Sequence, residues 1–276
     1  MIRLARSVLI LALVVVAGEL ALRGLFDIKL YGADAEVGYW SLPDQAGGAP
    51  FTGSYAFNSD GFGVSERYDT SGSNDVLLVG DSVVAGTVSL DQGERLGSVL
   101  SRRTGWRVWP LATGSWALPN QVRALRRVDL DGVEAIIFVL NSLDFQPASE
   151  WPGEYEMPRA KPLSYLHQAI RKMLPFLRGP HKPIPVRQEG LAAEWARFRA
   201  DAKVPIYIVG YEWEGTTGRN CDWLPGWIGP ATLCIDLIGV GGGDHMLDAI
   251  HPDARGTEAI AKAIARRFGE RETATN

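Results

Sequence analysis

A serine hydroxyl attacks a carbonyl only when a base takes its proton, and the base needs a third group to hold its tautomer. Ser82, His251 and Asp248 are the residues of this chain best placed to meet that requirement. Ser82 ends the run Asp75-Val76-Leu77-Leu78-Val79-Gly80-Asp81-Ser82, in which four apolar residues lead into a glycine turn. Such a run suits a strand buried on both faces, and open α/β sheets bind ligands just past the carboxyl ends of their strands. In Asp248-Ala249-Ile250-His251-Pro252 the acid stands three residues before the base, on a turn leading into a helix. That spacing lets the carboxylate meet the imidazole, while the other ring nitrogen faces Ser82 across the top of the sheet. His245, after Asp244, is the rival base; His167 and His181 read as surface or loop residues. The alternative for Ser82 is a helix-capping residue, and for Asp248 and His251 a packed helix-entry turn.

Gly80-Asp81-Ser82 after a buried strand, together with Asp248-Ala249-Ile250-His251-Pro252 near the C-terminus, resembles the SGNH (GDSL-type) hydrolase family. The resemblance covers about Asp75 to Phe268. It implies an α/β fold of three α/β/α layers around a mostly parallel, flavodoxin-like five-stranded sheet. It also implies Ser82 as nucleophile, His251 as base and Asp248 as the acid that orients it. The oxyanion hole would come from the N–H groups of Ser82 and Gly114 and the side chain of Asn141. Gly114 lies in Leu111-Ala112-Thr113-Gly114-Ser115-Trp116, and Asn141 directly follows the apolar run ending at Leu140. The family usually has Asn followed at once by Asp, whereas this chain reads Asn141-Ser142-Leu143-Asp144. A register with Leu143 at the Asn position would lack the side-chain donor; Asn141 is the only amide at the strand end. The Asn often found shortly before the glycine block is absent, with Pro110 in that neighbourhood.

The activity implied by the resemblance is hydrolysis of O-acyl esters, O-acetyl groups foremost, on extracytoplasmic carbohydrate, with no metal or cofactor. The same residues could transfer an acyl group to a sugar hydroxyl, aided by Trp-bearing loops at 141–161, with Trp151, and 212–233, with Trp213, Trp223 and Trp227. A third reading is a non-catalytic carbohydrate-binding protein on a degenerate hydrolase fold.

The elements that must position these residues follow from the patterning. Strands are expected at Val76–Val79, Val108–Leu111, Ala135–Leu140, Pro205–Val209 and Leu233–Leu237. Helices are expected around Glu94–Arg103, along Val122, Leu125 and Val128, along Leu163, Leu166 and Ile170, and along Leu191, Trp195 and Phe198. Ile260, Ile264 and Phe268 mark a last helix opened by Pro252. Alternating strands and helices argue for a parallel sheet covered on both faces. The chain divides into 1–24, a signal peptide or membrane anchor; 25–74, an irregular connector; 75–270, the domain; and 271–276, a frayed tail. Within the connector, Phe57-Asn58-Ser59-Asp60-Gly61-Phe62 reads as a structural turn.

Arg3 and Arg6 precede an apolar run from Val8 to Ala17, the pattern of a secretory signal. Val15-Val16-Ala17 offers a cleavage site, but Leu20-Ala21-Leu22 resume the run beyond Glu19, as an uncleaved anchor would. Both alternatives place the domain outside the cytoplasm, periplasmic or extracellular. Cys221 and Cys234, the two cysteines, then pair most simply as a disulfide. Neither has a second Cys or His at zinc-ligand spacing. With 46% hydrophobic and 22% charged residues the chain has the composition of a folded globule, and a net charge of -4 without a basic run argues against nucleic acid. The nine tryptophans read first as core and packing residues, with sugar-stacking platforms as the alternative.

Overall fold

The computed structural model describes residues 2–49, 52–174, 176, 182–213, 220–237 and 244–269. Helix α1 (Ile2–Leu25) carries its apolar side chains exposed, and its stretch Arg3–Leu25 is long and apolar enough to cross a membrane. Two antiparallel hairpins follow. The first pairs β1 (Tyr31–Asp34) with β2 (Gly38–Ser41), and the second pairs β3 (Gln45–Ala49) with β4 (Thr52–Phe57). Regular structure therefore occupies part of the stretch expected to be an irregular connector. Its strands are short and rich in Gly, Ala and Ser, so the composition resembles that of turns. Asn58 Oδ1 accepts hydrogen bonds from the N–H groups of Asp60 and Phe62, at 3.0 Å each, closing the turn expected there.

The central sheet has five parallel strands: β5 (Asp75–Gly80), β6 (Arg107–Ala112), β7 (Ala135–Leu140), β8 (Ile206–Glu212) and β9 (Leu233–Asp236). Their spatial order is β6-β5-β7-β8-β9. Alternate residues of each strand enter opposite layers. Leu77, Val79, Ile136, Phe138 and Ile208 pack against α4 (Leu118–Leu125) and α6 (Leu191–Asp201), through Leu118, Val122, Trp195 and Phe198. Val76, Leu78, Ile137, Val139 and Val209 pack against α3 (Leu96–Thr104) and α7 (Ala254–Gly269), through Leu96, Val99, Leu100, Ile260 and Ile264. The result is the expected three-layer α/β/α fold. Burial on both faces is why the strands read as unbroken apolar runs. Arg123 on α4 and Glu194 on α6 add a buried bidentate pair, at 2.7 and 2.8 Å.

Several boundaries move for local reasons. A 3-10 turn at Gln92–Glu94, closed by reciprocal bonds between Asp91 and Glu94, delays the start of α3 to Leu96. Helix α4 stops before Val128. Helix α7 starts at Ala254, and its cap is Asp253 rather than Pro252: Asp253 Oδ1 accepts from the N–H groups of Arg255 and Gly256, both at 2.8 Å. Helix α5 (Tyr165–Met173) is capped by Ser164. Cys221 and Cys234 form the expected disulfide, with Cα atoms 5.8 Å apart. The bridge lies against β8, where a Cβ on Gly210 would come within 2.1 Å of Cys221 Sγ. His181 and the 271–276 tail lie outside the described residues.

Candidate active site

From β5 the chain crosses over to β6 on one side and then to β7 on the other, so the carboxyl ends of β5 and β7 flank the switch point of the sheet. A ligand crevice is expected at that point. Gly80, the last residue of β5, has no room for a side chain: a Cβ would lie 2.6 Å from Val84 Cγ2 and 3.0 Å from the Val139 carbonyl oxygen. The chain then turns through Asp81, whose Oδ1 accepts from the Val83 N–H at 2.9 Å and caps the four-residue helix α2 (Ser82–Ala85). Ser82 is thereby held at the first position of α2, above the sheet.

His251 reaches Ser82 from the other end of the domain, with Nε2 2.8 Å from Oγ. Its Nδ1 lies 2.7 Å from Asp248 Oδ2 and 2.9 Å from Oδ1. A carboxylate at Nδ1 favours the tautomer with the proton there, which leaves Nε2 to accept from the serine hydroxyl. Asp248 Oδ1 also accepts from the N–H groups of Ile250 and His251, at 2.9 and 2.8 Å. Desolvation opposes ionisation of this carboxyl, but the His251 ring and the two N–H groups outweigh it and hold its pKa down at about 2. The turn is fixed from three sides. The Leu247 N–H donates to the His251 carbonyl at 2.7 Å, the Asp253 N–H to that of His245 at 2.9 Å, and the Tyr211 hydroxyl to that of Ile250 at 2.7 Å. The rival base, His245, has Nδ1 3.7 Å from Asp253 Oδ2, at the start of α7.

The residues named for the oxyanion hole converge on the same place. A Cβ built on Gly114 would lie 3.9 Å from Ser82 Cβ, so the two backbones are neighbours. Asn141, beyond the end of β7, donates from Nδ2 to Asp81 Oδ2 at 2.9 Å and accepts at Oδ1 from the Leu143 N–H at 2.9 Å. An amide NH2 carries two hydrogens, and Asp81 takes one. Leu143, the competing register, is half exposed. Asp144 supports Asn141 from below: its carboxyl accepts from the Asn141 N–H at 2.7 Å and from Gln121 Nε2 at 2.5 Å. Burial pushes the Asp144 carboxyl well up, and the nearby Asp81 adds to the shift; burial likewise raises Asp81.

Residues outside any motif complete the site. Tyr39, on β2, donates its hydroxyl to the Gly114 carbonyl at 2.8 Å, and the Trp116 indole donates to the Tyr39 carbonyl at 2.6 Å. Trp213 donates to Ser142 Oγ at 3.3 Å, next to Asn141. Val37, Tyr39 and Ser41 are all buried at alternate positions, but the run Val37-Gly38-Tyr39-Trp40-Ser41 has no apolar–polar alternation that would mark it as a strand. Trp151 departs from the role of a loop platform. It is buried, its indole donates to the Met157 carbonyl at 2.8 Å, and Arg159 covers its ring at 4.3 Å. Trp223 and Trp227 both pack on Phe145. Glu212, Cys221 and Cys234 lie within metal-ligating reach of one another, but both sulfurs are committed to the disulfide.

No family model and no curated protein matches the chain. Solved structures are similar at a distance. A protein assigned to the G-D-S-L lipolytic family from Desulfitobacterium hafniense has 12% identity and a TM-score of 0.40, over 71% of this chain and 99% of its own. A carbohydrate esterase family 2 enzyme with a carbohydrate-binding domain, from Corynascus thermopiles (Myceliophthora fergusii), has 14% identity and a TM-score of 0.35, over 76% and 70%. A family two carbohydrate esterase from Clostridium thermocellum, solved with cellohexaose, has 9% identity and a TM-score of 0.35, over 73% and 65%. At such distances the likeness assigns no activity.

Proposed function

We propose that the chain is an SGNH-type serine esterase that removes O-acyl groups, O-acetyl foremost, from carbohydrate outside the cytoplasm. The observation that carries this reading is the unbroken hydrogen-bonded series from Ser82 Oγ through His251 to Asp248. Ser82 Oγ attacks the ester carbonyl while His251 Nε2 takes its proton, and the carbonyl oxygen gains the charge. The N–H groups of Ser82 and Gly114 and one amide hydrogen of Asn141 hold that charge, each donor contributing about 3 kcal/mol. The C–O bond to the sugar then breaks as His251 returns the proton to the leaving hydroxyl. Water repeats the sequence on the acyl-serine, with His251 again as base, and releases the acid. Asp248 stays ionised throughout and stabilises the imidazolium that forms.

The location outside the cytoplasm is supported by Arg3 and Arg6 in the first turns of α1, its span-length apolar stretch and the Cys221–Cys234 bridge. The test is hydrolysis of acetyl and longer acyl esters by the full chain, with and without an oligosaccharide acceptor, together with labelling by a serine-directed fluorophosphonate. Acid release and labelling that both vanish in Ser82→Ala support the esterase. Acylated acceptor accumulating in place of free acid would make the chain a transferase. No turnover and no labelling of the wild type would leave a binding protein.

A further inference from the structure

We propose that α5, with Leu174 and Phe176 just beyond it, forms a second membrane contact, lying in the outer interface of the bilayer that α1 crosses. This rests on the reading of α1 as a retained span. A span needs about 20 residues, so one that starts at Arg3 ends near Leu22, with Glu19 within a turn of the outer boundary. At that level α1 clasps α5. The Glu19 carboxylate accepts from Ser164 Oγ and from the N–H groups of Tyr165 and Leu166, all at 2.9 Å. These are donors at the start of a helix that have no partner within it. Arg23 pairs with Glu19 at 2.6 Å, donates to the Leu163 carbonyl, and stacks 5.2 Å from the Tyr165 ring centre. The clasp compensates a charge that would be costly beside lipid and sets the first turn of α5 at the depth where α1 leaves it.

The surface of α5 suits that depth. Leu166, Ile170, Met173 and Leu174 recur at helical spacing along one side. Ile170 and Leu174 are each 40% exposed, Met173 and Phe176 79%, and Leu163 97%. Scattered exposed apolar residues are ordinary, but a cluster fastened to the mouth of a membrane span is not. The occupant we infer is the phospholipid surface, because the first turn of α5 is fastened to α1 where the span ends, and α1 itself carries exposed apolar side chains. Helices of this kind bury their apolar side about 5–10 Å into the headgroup boundary.

Among the described residues there is no free cysteine, so one introduced thiol can carry an environment-sensitive fluorophore. The full chain, reconstituted in nanodiscs of phosphatidylcholine with or without brominated acyl chains, is labelled at Leu163→Cys, Met173→Cys, Val14→Cys, or at exposed Ser71→Cys and Lys262→Cys. Hydrolysis of a soluble ester checks that each labelled protein is folded. The expected result is strong bromine quenching at Val14 and roughly half as much at Leu163 and Met173, since an interfacial segment sits shallower than a span centre. The two control sites should show little. Quenching at Val14 with Leu163 and Met173 at control level overturns the contact and leaves the anchor standing. No quenching at Val14 overturns the anchor and the contact with it. A blue shift at Met173 without bromine quenching would mean that protein, a second copy, covers the patch instead.

Discussion

In the proposed reaction Asp248 serves His251 through geometry that one atom can upset. Its Oδ1 already accepts from two backbone N–H groups, and its second oxygen meets the ring Nδ1. In Asp248→Asn the remaining oxygen would stay with the backbone donors and the NH2 would face the ring. Nδ1 must then accept, the proton moves to Nε2, and Ser82 loses its base. The expected outcome is a fall in kcat of about 10²–10⁴, the worth of general-base catalysis, with KM little changed. The pairing also sets a pH window. A carboxyl whose folded pKa is depressed contributes above the usual carboxylate range and loses that contribution as pH falls toward its folded value. For Asp248 that value is about 2, so the pair persists through mildly acid conditions. Carboxyl-carbon NMR titration should place the Asp248 midpoint near 2 in the wild type and higher in His251→Ala, where the ring donor is gone. An unmoved midpoint in the variant would show that the ring does not hold the carboxyl down.

At the scale of elements, the proposed oxyanion side is held by two supports that differ in how they can be read. The Asn141–Asp144 spacing is visible in the sequence, but its departure from the pattern of the family it resembles leaves the register open between Asn141 and Leu143. Only the strand end, which turns Asn141 toward Asp81 and Leu143 toward solvent, separates them. Tyr39 has no motif at all, since its strand hides among Gly, Pro and Asp, whereas β5 and β7 announce themselves by burial on both faces. Tyr39→Phe leaves the Gly114 carbonyl without its donor; the expected cost is about 1–3 kcal/mol in denaturant unfolding, with kcat falling more than KM rises. Asp144 allows a sharper comparison. Gln121 Oε1 is buried without a hydrogen-bond partner, and the Asp144 carboxyl beside it is pushed up by burial. In Asp144→Asn a flipped Gln121 can offer Oε1 to the new NH2, while the remaining oxygen still accepts from the Asn141 N–H. That variant should keep most of its stability and activity. Asp144→Ala, which strands both donors, should lose on the order of 2–5 kcal/mol and most of kcat. Equal losses in the two variants would mean that the charge, not the hydrogen-bond pattern, is what this position supplies.

For the molecule as a whole, the ends of the chain decide what the middle can do. The sheet order brings Ser82 and Asn141 to one crevice, and α7 closes the opposite layer so that the preceding turn can deliver His251. Sequence patterning conveys that much because the strands of the central sheet are mostly apolar runs, and because α3 and α7 bury one side. Glu19 is the contrary case: along the chain it interrupts an apolar run, and only packing shows it as the acceptor for the start of α5. The disulfide belongs to this scale too. It ties β9, a four-residue edge strand, to the loop leaving β8, and Glu212 Oε1 accepts from the Cys221 N–H at 2.6 Å alongside it. Closing a loop with a sequence separation of 13 limits the unfolded chain and contributes about 3 kcal/mol in the chain-entropy model. Replacing both cysteines by serine should lower unfolding stability by about that amount. The His251 turn is fastened separately, through the Tyr211 hydroxyl on β8, so turnover of a small ester per folded molecule should survive. Hydrogen exchange would then show β9 opening ahead of β8. If activity fell in step with β9 protection, the edge strand would be part of what holds His251 in place, and the site would depend on an oxidising compartment for its chemistry as well as its stability.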